Sequence, residues 1–187
     1  MTIFDCDFLV IGTGLAGLMS ALRLSRLGKV VLVSKKGSDE SNTSWAQGGI
    51  ASVTDPDDTI EEHVRDTLGV GAGLCREEAV RVILTAGPRR VKELEELGVA
   101  FERRHGRDEE YDLGQEGGHS HRRVLHAGDF TGREVVKALL ERVHENPDIE
   151  IKQNLMARID EIRKPTAIIS TNTSGIPVGA IAEGRSK

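Results

Sequence analysis

The chain has 187 residues, of which 38% are hydrophobic, enough for one domain with a sizeable core. Its formal net charge of -5 argues against a nucleic-acid partner, and no apolar stretch approaches the roughly 20 residues that span a bilayer. With only two cysteines, Cys6 and Cys75, the chain cannot form a disulfide framework. Its amino terminus reads MTIFDCDF and lacks the features of a signal sequence. Together these features predict a cytoplasmic protein.

A glycine-rich turn follows the first predicted strand. Residues 7–17 read DFLVIGTGLAG, and Gly12, Gly14 and Gly17 have the spacing G-x-G-x-x-G. The first glycine permits a tight turn, the second lets a pyrophosphate approach the backbone, and the third allows the helix to pack on the sheet. We predict strands at residues 8–11 and 30–33 and a helix over residues 15–27 that Gly28 ends. The context predicts a dinucleotide site.

The residues after the second predicted strand leave the dinucleotide open. Simple NAD-binding units carry Asp or Glu at this place, whereas this chain has Ser34, Lys35 and Lys36. A lysine favours either the phosphate of NADP or the adenosine half of FAD.

A long loop of small polar residues comes next, at residues 37–51. Its part from Ser41 to Gly49, SNTSWAQGG, supplies the backbone donors, hydroxyls and amide that a flavin needs. The alternative is a flexible surface loop. Trp45 favours the flavin, because a lone tryptophan in a polar loop usually packs against something.

Amphipathic helices are predicted between residues 58 and 98. A turn at residues 55–58 precedes the first helix, whose apolar residues repeat every four positions (Ile60, Val64, Leu68) until glycines break it at residues 69–73. A second helix begins at Glu77, is interrupted at Gly87 and Pro88, and resumes until Gly98. We expect its apolar residues to face inward: Val80, Ile83 and Leu84, then Val91, Leu94 and Leu97.

Residues 115–129, QEGGHSHRRVLHAGD, concentrate histidine and arginine. On a strand, His119 and His121 would share a face, but no cysteine or well-spaced carboxylate joins them, so we expect no metal. With His126, Arg122 and Arg123 they suit a cationic pocket for an acidic substrate. The alternative is a charged strand exposed to solvent.

The remaining predicted elements are a hairpin tip, one helix and several strands. The charged residues 103–110 indicate a loop or hairpin tip, and a capping box from Thr131 to Glu134 begins a helix that Asn146 and Pro147 end. Val135, Leu139 and Val143 should face inward on it. Strands are predicted at residues 149–156 and 159–163, with a hairpin formed by residues 167–169 and 178–181.

Three motifs in order, GTGLAGLMSALRLS, SNTSWAQGGIA and EGGHSHRRVLHAGDFTGREV, resemble the L-aspartate oxidases, members of the succinate dehydrogenase and fumarate reductase flavoprotein group. The resemblance implies an α/β fold, a Rossmann-like FAD-binding domain of the GR2-type flavoproteins, truncated before the capping and C-terminal helical domains. It implies an oxidoreductase that converts L-aspartate to iminoaspartate with oxygen or fumarate as acceptor. This would be the first step of de novo NAD (quinolinate) biosynthesis, with a functional link to quinolinate synthase.

The resemblance also implies which residues contact the cofactor and substrate. FAD would be non-covalent, because Asn42 stands where membrane-bound relatives carry the linking histidine. Glu116 matches the glutamate that orients the substrate's amino group, with His119, His121 and Arg122 as weaker candidates. The family's catalytic arginine lies beyond Lys187, so we expect no catalytic residue here and an inactive fragment. The expected cofactor-binding residues are Gly12, Thr13, Gly14, Leu15, Ala16, Gly17, Lys35, Asn42, Thr43, Ser44, Trp45, Ala46, Gln47, Gly48 and Gly49.

On this interpretation the whole chain, residues 1–187, is the N-terminal part of an FAD-binding domain. Its expected segments are a βαβ unit (7–35), a flavin loop (37–51), a helical segment (58–98), a substrate-side segment (111–130), a helix (131–146) and terminal strands (149–182). The alternatives are a soluble fumarate reductase or succinate dehydrogenase flavoprotein and a non-catalytic FAD-binding fragment. A plain NADP-binding Rossmann domain would leave the last two motifs unexplained.

Overall fold

The computed structural model describes residues 5–35, 37–128 and 130–152. The chain divides into two compact units: residues 1–45 with 139–187, and residues 46–138.

A parallel sheet of three strands forms the first unit among the described residues. Strands β1 (Phe8–Ile11), β2 (Val30–Val33) and β8 (Ile149–Lys152) lie in the order β1-β2-β8, with Val30 beside both Phe8 and Ile149. All four residues of β2 are buried, which is typical of an inner parallel strand. The predicted strands at residues 8–11 and 30–33 are confirmed.

Helix α1 (Leu15–Leu24) connects β1 to β2 and is shorter than predicted. It packs on the sheet through Leu18 and Ala21, both fully buried. The expected end at Leu27 is wrong, since Ser25 caps the helix and its hydroxyl donates to the Leu22 carbonyl at 3.1 Å.

The strands predicted after residue 152 and the hairpin at residues 167–181 lie outside the described residues.

Antiparallel strands and two helices form the second unit. Strands β3 (Ile50–Ala51), β6 (Leu113–Gly114) and β7 (Val124–Leu125) make a sheet of order β3-β7-β6. Strands β4 (Arg103–Arg104) and β5 (Arg107–Tyr111) make the predicted hairpin. Helices α2 (Ile60–Val70) and α3 (Glu77–Glu96) pack on each other. The core of the unit includes Val64, Val91, Leu94, Val99, Phe101, Leu113, Val124 and Leu125.

Helix α3 runs without a break through Pro88, so the predicted interruption is wrong. Pro88 removes one intrahelical hydrogen bond. The burial of Val91 and Leu94 in the following turns outweighs this loss and keeps the helix continuous. The inward position expected for Ile83 is also wrong, because 66% of this residue is exposed.

Helix α4 (Thr131–His144) begins in the second unit and ends in the first. Val135, Leu139 and Val143 are buried, as their spacing predicts. The Thr131 hydroxyl accepts a hydrogen bond from the Ala127 N–H at 3.1 Å.

Across the described parts of the chain, every helix is too short or too polar to cross a membrane.

Candidate functional site

The glycine-rich turn lies at the carboxyl edge of the parallel sheet in the first unit. The Gly12 N–H continues the sheet by donating to the Val33 carbonyl at 2.8 Å. Gly12 then has φ +105°, a conformation that side chains other than glycine rarely adopt. A Cβ at residue 17 would lie 1.9 Å from the Gly12 oxygen, so the helix start packs directly on the turn. The two glycines therefore fit the roles that their spacing predicts.

Gly14 precedes α1 and lies against the loop that follows β2. A Cβ on Gly14 would be 3.2 Å from the Thr43 Oγ1 atom, which accepts a hydrogen bond from the Leu15 N–H at 3.2 Å. The first turn of α1 holds no acidic residue. The amino end of the helix dipole is therefore uncompensated by side-chain charge and favours an anion.

The part of the polar loop in the first unit forms a 3-10 turn, Thr43–Trp45. Ser44 is buried, and its hydroxyl lies 3.0 Å from that of Ser41, so its side chain shapes the loop. Asn42 is exposed, as is 68% of Trp45. Half-buried Lys35 lies two residues after the end of β2 at the same sheet edge.

These features fit the dinucleotide cofactor that the sequence predicts. A turn with a left-handed glycine at Gly12 and no room for a Cβ at Gly17, a helix amino end without acidic residues and an exposed aromatic ring are the elements that bind a pyrophosphate and flat rings. Thr13 is buried, whereas Leu15 and Ala16 lie at the first turn of α1, half-buried and exposed respectively.

The loop continues in the second unit toward Glu116. Ala46, Gln47 and Gly48 are exposed, and a Cβ at Gly48 would lie 3.6 Å from Glu116 Oε1. Gly49 has no room for a side chain, because a Cβ there would be 2.2 Å from the Leu125 oxygen. Glu116 itself is exposed.

Residues 115–123 form turns and bends, so the shared face that a strand would give His119 and His121 does not arise in this segment. The two rings contact different groups. His119 Nδ1 lies 3.3 Å from Arg123 Nη1, whereas His121 Nε2 lies 3.4 Å from Glu62 Oε2.

Arg123 is fully buried and holds this segment on α2. Its Nε and Nη2 atoms each donate to one oxygen of Asp58 at 2.8 Å, and Nη1 donates to Asp66 Oδ2 at 2.6 Å. The same Asp66 oxygen accepts hydrogen bonds from the Ser120 N–H and hydroxyl. Burial raises the pKa of Asp66, but these hydrogen bonds outweigh it and lower the pKa to about 2.

The expected cationic pocket is therefore partly neutralised. Two carboxylates compensate Arg123, while Arg122 is exposed and its Nε donates to the Leu113 carbonyl at 2.8 Å. Asp58 and Asp66 were not among the predicted site residues. The sequence signal for both residues was an acidic repeat every four positions, Asp58, Glu62 and Asp66.

Asp58, Glu62 and His121 offer ligand atoms within 4.8 Å of one another. Both Asp58 oxygens already accept from the Arg123 guanidinium, whose positive charge opposes a cation there.

Comparison with known proteins gives consistent matches. The model of a family described as FAD binding domain matches residues 7–159. An L-aspartate oxidase of Nicotiana tabacum, named chloroplastic, is 49% identical over 151 residues, covering 81% of this chain and 23% of the relative. One of Vibrio cholerae is 46% identical over 150 residues, covering 79% and 28%.

Among solved structures, a quinol fumarate reductase of E. coli has a TM-score of 0.74 at 30% identity, covering 81% of this chain and 26% of the other. The Sdh1 complex of Mycobacterium smegmatis has a TM-score of 0.71 at 28% identity, covering 80% and 27%. The chain spans 22% to 30% of the length of the curated relatives it matches.

Proposed function

The chain belongs to the FAD-binding domain family and is a homologue of the L-aspartate oxidases, and from this premise we propose that it holds FAD for the oxidation of L-aspartate to iminoaspartate. Oxygen or fumarate would accept the electrons. The product would enter quinolinate and NAD synthesis, which links the protein functionally to quinolinate synthase.

The observation that carries the proposal is the turn at Gly12, Gly14 and Gly17. We propose that this turn and the first residues of α1 hold the FAD pyrophosphate, because their backbone N–H groups and the helix dipole favour negative charge. Lys35 would lie along the adenosine half. Thr13 and the loop residues Asn42, Thr43 and Ser44 would complete the site in the first unit.

In the second unit, the exposed residues Ala46, Gln47 and Gly48, together with Gly49, would contact the flavin. FAD supplies the two-electron acceptor, and the protein supplies position and charge. We propose that binding is non-covalent.

We propose that Glu116 orients the substrate amino group. Its carboxylate is exposed beside Gly48, and a negative charge there favours an ammonium group over the plain methylene of succinate. His119, His121 and Arg122 remain weaker candidates for contacts with substrate carboxylates.

A fumarate reductase or succinate dehydrogenase flavoprotein is the second candidate. The fold similarity to such structures, at 28% to 30% identity, favours this candidate. The higher identity to L-aspartate oxidases, 46% to 49%, favours the oxidation of L-aspartate.

The decisive experiment titrates the purified chain with FAD and follows flavin fluorescence, with NADP as the competing ligand. We expect saturable binding of FAD but not of NADP, which Gly14→Val abolishes because its side chain would enter the space beside Thr43. Gly69→Val is the control, since a Cβ there meets no atom within 4 Å. Binding of NADP alone, or of neither ligand, would contradict the proposal.

Substrate choice is tested next on an FAD-loaded protein of the same length as the matched relatives. Bleaching of the flavin absorbance by L-aspartate, but not by succinate, under anaerobic conditions supports aspartate oxidation. The reverse result would favour the second candidate.

A further inference from the structure

The hydrogen bond between His119 and Arg123 determines where the His119 ring carries its proton. Arginine has only hydrogen-bond donors, so at 3.3 Å the Nδ1 atom of His119 must accept from Arg123 Nη1. An accepting ring nitrogen is unprotonated. The neutral ring then carries its proton on Nε2.

The guanidinium is fixed in the orientation that this hydrogen bond needs. Asp58 binds Nε and Nη2 of Arg123 in a bidentate pair, and Asp66 binds one hydrogen of Nη1. Because the guanidinium is planar, the direction of the second Nη1 hydrogen is also fixed, and His119 Nδ1 is its acceptor.

The backbone of the same turn is held independently of the ring. The Ser120 N–H donates to Asp66 Oδ2 at 2.8 Å, and the His119 N–H donates to the Glu116 carbonyl at 3.2 Å. The Gln115 amide donates to the His119 carbonyl at 2.8 Å. The position of His119 relative to the Glu116 backbone is therefore determined from several sides.

From these contacts we propose that Arg123 is a positioning residue that holds His119 as a neutral ring protonated on Nε2. The Nε2–H group then donates one hydrogen bond to a carboxylate of an acidic substrate. The substrate class rests on the proposed function, whereas the protonation pattern rests only on the contacts of Arg123.

A second histidine lies beside the His119 ring. The His63 ring is 5.5 Å away, centroid to centroid. Burial lowers the pKa of His63 and the positive charge of Arg123 lowers it further, while Asp58 and Asp66 raise it. The proposed role differs from that of a protonated histidine clamp, because His119 would act through a directed N–H group.

The test is the ring ¹⁵N spectrum of the histidine-labelled chain at neutral pH, with His119→Gln to assign the signals. We expect an unprotonated Nδ1 and a protonated Nε2 for His119. Exposed His105 is the internal control and should show a mixture of both tautomers. A protonated Nδ1 on His119, or a doubly protonated ring, would overturn the proposal.

Variants separate this positioning from general structural support. Arg123→Leu removes the donor, and in folded protein it should shift His119 to a mixture of tautomers. Asp66→Asn keeps the Arg123 pair with Asp58 and should cause a smaller shift, whereas Asp57→Asn on the exposed turn should cause none. An unchanged His119 spectrum in folded Arg123→Leu would refute the role. If this variant does not fold, the wild-type spectrum still decides.

The substrate contact has its own readout. Adding L-aspartate to the FAD-loaded chain should shift the His119 Nε2 signal and leave its Nδ1 signal unprotonated. Calorimetry shows whether L-aspartate binds at all. If it binds and the Nε2 signal of His119 does not shift, the proposed contact between His119 and the carboxylate is wrong. If it does not bind, the proposed function is wrong.

Discussion

Gly17 lies so close to Gly12 that a Cβ on residue 17 would be 1.9 Å from the Gly12 carbonyl oxygen. The atom in the way belongs to the backbone of the turn, which is also hydrogen-bonded to β2 through the Gly12 N–H. A side chain at residue 17 therefore forces either the helix or the turn to move. This contact connects the first helix to the shape of the proposed pyrophosphate site.

We expect Gly17→Ala to lower the free energy of unfolding by about 1–3 kcal/mol, the usual cost of overpacking. Its FAD affinity should fall at least about tenfold, which corresponds to roughly 1.4 kcal/mol. Urea unfolding and flavin titration measure the two effects. Gly69→Ala is the matched control and should be neutral or stabilising, because residue 69 lies in α2 with open space around its Cβ position. Equal affinities for FAD in wild type and Gly17→Ala would refute the assigned role.

Asp66 should make stability depend on pH in the acid range. Its pKa is lowered to about 2 in the folded protein from 3.8, so the unfolded chain binds the proton more readily. The stabilisation, about 2 kcal/mol, is therefore fully present above about pH 4 and is lost as the pH falls through 2.

Asp66→Asn should accordingly be less stable than wild type at pH 7, with the difference shrinking between pH 4 and 2. Unfolding by urea at a series of pH values measures this. Asp57→Asn, an exposed change of the same charge, should show no such trend. A constant difference between wild type and Asp66→Asn across the range would contradict the prediction.

Pro88 should destabilise α3, since a proline inside a helix removes the N–H that would bond to the Leu84 carbonyl. Pro88→Ala restores this donor and should raise the free energy of unfolding by about 1–3 kcal/mol. Thermal unfolding compares it with Thr85→Ala, an exposed change on the same helix that tests helix propensity alone. A Pro88→Ala protein less stable than wild type would show that the ring contributes packing that outweighs the missing hydrogen bond.

Glu116→Gln should weaken L-aspartate binding to the FAD-loaded chain by about tenfold, because it removes the charge that would pair with the ammonium group. Succinate has no ammonium group, so its affinity should stay the same or increase. Calorimetric titration of both ligands gives the comparison, with the exposed Glu109→Gln as the control. If both ligands lose affinity equally, Glu116 does not discriminate between them.

The sequence by itself determined the local elements and the family. The strand–turn–helix around Gly12 and the buried run Val30–Val33 follow from short-range rules, because glycine spacing and apolar runs act on neighbouring residues. The same rules predicted the buried face of α4, and the three motifs identified the homologues.

The tertiary structure alone decided the state of groups whose partners lie far along the chain. Arg123 is paired with Asp58, 65 residues away, and this converts a predicted cation of the pocket into a buried, neutralised group. Helix α3 continues through Pro88 because residues beyond it are buried, which outweighs a local preference. Long-range burial and charge pairing are absent from any short window of sequence, so only the fold could place them.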